Sequence, residues 1–96
     1  MSESALERSV KIVNRLGMHA RPAAEFVKLA GHFRAEIKVE KNGLEVDGKS
    51  IMGVLMLAAE QGSLLIIRAT GSDAEEALAA LTELVDGGFH EAYEDY

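Results

Sequence analysis

The strictest pattern in this chain runs through residues 35–47. Ala35, Ile37 and Val39 alternate with Glu36, Lys38 and Glu40; Asn42-Gly43 follows; Leu44 and Val46 then alternate with Glu45 and Asp47. A period of two places the apolar residues on one face of a strand and the charges on the other. Asn-Gly tolerates positive φ at both positions, as a two-residue hairpin requires. The segment predicts two antiparallel strands with one dry face, which other elements must cover.

The covering elements are legible on both sides. Val10 and Ile12 alternate with Ser9, Lys11 and Val13, predicting a first strand over about residues 7–14. Arg15 to Met18 form a loop. Ala23, Phe26, Val27 and Ala30 then share a helical face that Gly31 ends. After the hairpin, Gly48 and Lys49 break the strand, and Ser50 caps a short helix through about Ala59. Beyond Gly62, Leu64 to Ala69 read as a buried strand. Gly71-Ser72-Asp73 start a last helix with Ala74, Ala77, Leu78, Leu81, Leu84 and Val85 on its apolar face, and Gly87-Gly88 stop it. The order βαββαβα predicts an α+β two-layer domain with the helices packed on one face of the sheet. Strand order is not contained in the pattern.

Ninety-six residues, 48% of them hydrophobic, suit one small domain with one core, here read as spanning 1–96. No apolar run approaches the roughly 20 residues of a membrane helix. The N-terminus lacks the basic start and apolar stretch of a secretory signal. Without cysteine there are no disulfides and no thiolate chemistry. The expected setting is the cytoplasm. Net charge is −6, concentrated at the end: from Asp73 onward there are eight acids and no Lys or Arg. That balance argues against nucleic-acid binding, which relies on basic surface. Phe26, Phe33, Phe89, Tyr93 and Tyr96 form no stacking platform on a strand. His32 and His90 are far apart and no carboxylates have ligand spacing, so no metal is expected.

His19 stands where the loop meets the helix, with Pro22 in the first turn, where a missing N–H costs little. The first N–H groups of a helix lack intrahelical acceptors and its dipole is positive there, so that end suits an anion. Arg21 adds a fixed cation nearby. An imidazole with a reference pKa of about 6.5 can act as a nucleophile near neutral pH. These residues are suited to receive a phosphoryl group and hold it. On residue types alone, a histidine at a helix start serves equally as a surface or capping residue.

Leu16-Gly17-Met18-His19-Ala20-Arg21-Pro22-Ala23-Ala24 resembles the active-site signature of the HPr family, the small phosphocarriers of the phosphoenolpyruvate-dependent phosphotransferase system. Lys49-Ser50-Ile51-Met52-Gly53-Val54-Leu55 resembles the family's second signature. The likeness covers about residues 7–91 and implies an open-faced β-sandwich with a four-stranded sheet. It implies that Enzyme I phosphorylates His19 on Nδ1, that Arg21 contacts the phosphate, and that Pro22 sets the turn. An Enzyme IIA-type protein would be the acceptor. The chain would be a monomeric carrier that uses no cofactor and is not itself an enzyme. Gly88-Phe89-His90-Glu91 matches a frequent family ending, and an acidic tail, Ala92 to Tyr96, continues past it.

Ser50 has a structural use as an N-cap. The resemblance adds a regulatory one: phosphorylation by HPr kinase/phosphorylase in bacteria that have it. The helix after Ser50 is apolar nearly all round, more than a short surface helix can bury. By resemblance Ile51, Met52 and Leu55 form a docking patch while Val54 and Leu57 face the core. Arg15, Arg21 and Lys49 supply a basic rim for an acidic partner surface. Features of the sugar-uptake and nitrogen-related branches are mixed. The alternatives are a regulatory binding module that acts through phosphorylated Ser50, and a small ligand-binding domain without covalent chemistry.

Overall fold

The computed structural model describes residues 4–90. The elements are β1 (Leu6–Lys11), α1 (Ala20–Ala30), β2 (Glu36–Lys41), β3 (Leu44–Asp47), α2 (Ile51–Met56), β4 (Leu64–Thr70) and α3 (Ala74–Asp86), followed by a short turn, Gly88–His90. This is the βαββαβα order. The strands form one sheet in the order β1-β4-β2-β3, with every neighbouring pair antiparallel. The tail from Glu91 lies outside the described residues.

The alternation in sequence becomes the two faces of the sheet. Val10, Ile37, Val39, Leu65, Ile67 and Ala69 are buried on the inner face. The α3 face of Ala74, Ala77, Leu78, Leu81, Leu84 and Val85 is buried and packs on β1 and β4. Helix α2 packs by β3, and α1 packs against α2 and α3 through Ala23, Phe26 and Ala30. On the open face the Arg68 guanidinium meets Glu7 at 2.9 Å and both Glu40 and Glu45 at 2.8 Å. The hydrogen bond to Glu40 does most to hold it firmly charged. Asn42 and Gly43 take φ of +52° and +89°, the hairpin geometry that Asn-Gly permits.

Three elements depart from the sequence pattern. β1 ends at Lys11 rather than near Asn14, because Ile12 turns its backbone to the loop before β4. Ile12 N–H donates to Ser63 O at 2.9 Å, and Ile12 O accepts from Gly62 N at 2.7 Å. α2 ends at Met56 rather than Ala59. Ala58 has φ of +48°, and the Lys41 ammonium takes the carbonyls of Leu57 and Ala58 at 3.1 and 3.0 Å. Leu44 is exposed, since β3 is a four-residue edge strand and only Val46 packs against the core.

Candidate functional site

Two hydrogen bonds close the loop before α1. Asn14 O accepts from Gly17 N at 3.1 Å, and Asn14 Nδ2 donates to Gly17 O at 2.7 Å. Gly17 has φ of +71°, and a Cβ there would lie 2.5 Å from Ala59 O, so both the angle and the space require glycine. Met18 N–H then donates to Ala59 O at 2.8 Å, and the Met18 side chain is buried. With Met18 pinned inward, the chain delivers His19 to the first position of the helix.

His19 is the N-cap residue of α1, in extended conformation at φ −79° and ψ −168°. Its carbonyl accepts from Ala23 N at 2.9 Å, which starts the helix. Its side chain makes no capping hydrogen bond to that helix. Nε2 is buried, while the residue as a whole is partly exposed. Pro22 is buried in the first turn, where it gives up no hydrogen bond. Arg21 is exposed beside it. The positive end of an 11-residue helix therefore opens next to the imidazole.

Ser50 caps α2: its Oγ accepts from Gly53 N at 3.1 Å. Lys49, next to it, donates from Nζ to Phe33 O at 2.7 Å. Phe33 lies just beyond the C-terminal end of α1, whereas Ala59, just beyond the C-terminal end of α2, holds the His19 loop. The two helices thus run antiparallel. His19 and Ser50 sit at opposite ends of the pair. Sequence spacing gave no hint of this separation. Through its bond to Phe33, Lys49 ties the start of α2 to the end of α1, and Arg15 is exposed on the His19 loop.

The α2 surface divides as its spacing demands. Val54 and Leu57 are buried; Ile51 and Leu55 are 38% and 37% exposed, and Met52 and Met56 are 67% and 66% exposed. Met56, which the second signature does not contain, extends the patch by one turn as the i+4 neighbour of Met52. Leu16 adds a further exposed apolar side chain from the His19 loop. Sequence reasoning also passed over Asn14. Its one available signal was a polar residue directly after the alternating run of β1. Among the described residues no helix is long and apolar enough to cross a membrane, and no three His, Asp or Glu side chains are grouped as for a metal.

A family model described as "PTS HPr component phosphorylation site" matches residues 6–86. The phosphocarrier protein HPr of Neisseria meningitidis serogroup B is 45% identical over 86 residues, covering 90% of this chain and 97% of that protein. The phosphocarrier protein HPr of Cupriavidus necator is 46% identical with the same coverage. The crystal structure of HPr-C-His from Thermoanaerobacter tengcongensis superposes with a TM-score of 0.87 at 44% identity, covering 90% of this chain and 97% of that one.

Proposed function

The chain belongs to the HPr family of phosphocarriers of the phosphotransferase system, and on that premise we propose that His19 takes the phosphoryl group from phospho-Enzyme I and yields it to an Enzyme IIA-type acceptor. The observation that carries this is the placement of His19 as the N-cap residue of α1, at the positive end of the helix.

Nε2 is buried, and the family likeness assigns the phosphoryl group to Nδ1. In the tautomer with the proton on Nε2, the Nδ1 lone pair attacks phosphorus in line with the donor's bond. That bond breaks as the new P–N bond forms. Phosphoryl transfer asks little of the protein beyond positioning and charge stabilisation. The first-turn amides of α1 and the Arg21 guanidinium supply the charge, and Pro22 fixes the turn. The acceptor reverses the same step. The chain is a carrier in this scheme, and other proteins act on it.

Docking falls to Ile51, Met52 and Leu55, with Arg15, Arg21 and Lys49 facing an acidic partner surface. Methionine side chains suit a patch that must fit several partners. Ser50 is the regulatory position, a target for HPr kinase/phosphorylase. A phosphate there sits at a helix start, where it is tolerated. Set at the opposite end of the helix pair from His19, it acts on the docking partner rather than on the imidazole. The protein works in this reading as a cytoplasmic monomer.

The test is a chase. The protein is phosphorylated with phosphoenolpyruvate and Enzyme I, purified, and mixed with an Enzyme IIA-type protein. Label should leave this chain and appear on the acceptor; label that stays put contradicts the carrier role of the site.

A further inference from the structure

We propose that Asn14 is a positioning residue for phosphoryl transfer at His19, an inference that rests on the role given to His19 above. Asn14 is the one buried polar side chain in the core among the described residues. Asn14 holds Gly17 at two points: its side-chain Nδ2 donates to Gly17 O at 2.7 Å, and its backbone carbonyl accepts Gly17 N–H at 3.1 Å. Burying an amide is costly unless it is hydrogen-bonded, so an apolar residue would fill the site with less at stake. What asparagine adds is direction.

That direction reaches His19 in two residues. The Asn14 amide holds the Gly17 carbonyl, and with it the +71° φ that places Gly17 against Ala59. Met18 then meets Ala59 O at 2.8 Å, and His19 emerges extended at the helix start. The turn after α3 backs onto the same residue, since a Cβ at Gly88 would lie 3.8 Å from Asn14 Cβ. Asn14 is thus held from behind and aims the loop in front. The main docking side chains, Ile51, Met52 and Leu55, lie on α2 and not on this loop, so loss of the amide should disturb the chemical step more than the encounter.

The experiment compares the intact protein with Asn14→Asp, Asn14→Ala and Asn14→Ser in transfer from phospho-Enzyme I, well below each variant's melting midpoint. Asn14→Asp keeps the shape and loses the donor; Asn14→Ser keeps a donor and loses length. Asp and Ala should lower kcat by roughly tenfold or more, as small misplacements of a reacting group do. KM should stay within about twofold, and serine should recover part of kcat. Amide shifts should move in residues 15–19 with the sheet unchanged, which also shows that the variants are folded. The proposal is overturned by wild-type kcat in Asn14→Asp, by a rise in KM alone, or by a loss in alanine that aspartate does not share, which would mean packing. If the unsubstituted protein takes no phosphate, the role of His19 fails first and this one with it.

Discussion

Replacing Gly17 with alanine should damage this protein more than the same change at Gly62, a left-handed glycine with open space around it. Two costs combine. Alanine at φ +71° costs about 1–2 kcal/mol. Its Cβ would lie 2.5 Å from Ala59 O, 3.0 Å from Glu60 Cα and 3.3 Å from Glu60 C. All three are backbone atoms, so relief requires the His19 loop to lift away and give up the bond from Met18 to Ala59, about another 1 kcal/mol. The total is about 2–3 kcal/mol. A domain of this size shifts its midpoint by about 4–8 °C per kcal/mol, so the melting temperature should fall by about 8–24 °C. Gly62→Ala is the control: φ is +91° and nothing lies within 4 Å, so only the conformational cost applies. Thermal unfolding followed by circular dichroism compares them. Equal losses in the two variants would refute the role given to the contact between the loop and Ala59.

Two further outcomes follow from the same geometry. Ser50→Ala loses the bond to Gly53 N and should cost about 1 kcal/mol in a thermal melt. Ser50→Asp keeps a capping oxygen, so it should melt close to the unsubstituted protein while raising KM for Enzyme I; an unchanged KM would remove Ser50 from the docking surface. Asp73 accepts the amides of Arg34 and Ala35, each at 2.8 Å, and the bond from Arg34 does most to hold its carboxyl below the ordinary range. A carboxyl lowered on folding contributes stability above its unfolded value of about 3.9, and that stability is lost as pH falls through the folded value. Urea unfolding from neutral to acid pH should therefore show a shallower acid decline for Asp73→Asn, and an unchanged decline would assign it to other carboxylates.

The periodic elements were legible because burial imposes its period directly on sequence. Ile37, Val39, Leu65 and Ile67 alternate as the sheet does, and the six positions expected on the apolar face of α3 are all buried. The ends of elements were not, because tertiary bonds decide them. Lys41 and Met18 take the carbonyls that would otherwise continue α2, and neither is near α2 in sequence. Within the site, His19, Arg21 and Pro22 were found through local helix-start chemistry and family likeness. The antiparallel placement of Ser50 depends on Lys49 reaching Phe33, a contact that no local pattern encodes. Asn14 stood only as the expected last residue of the first strand, because its meaning lies in its burial.

The measurement that bears most directly on His19 is intact mass after incubation with phosphoenolpyruvate and Enzyme I, followed by brief acid treatment, with His19→Ala in parallel. The account predicts one added phosphate, lost in acid and absent from the alanine variant. A phosphate that survives acid, or one that His19→Ala still acquires, would contradict it.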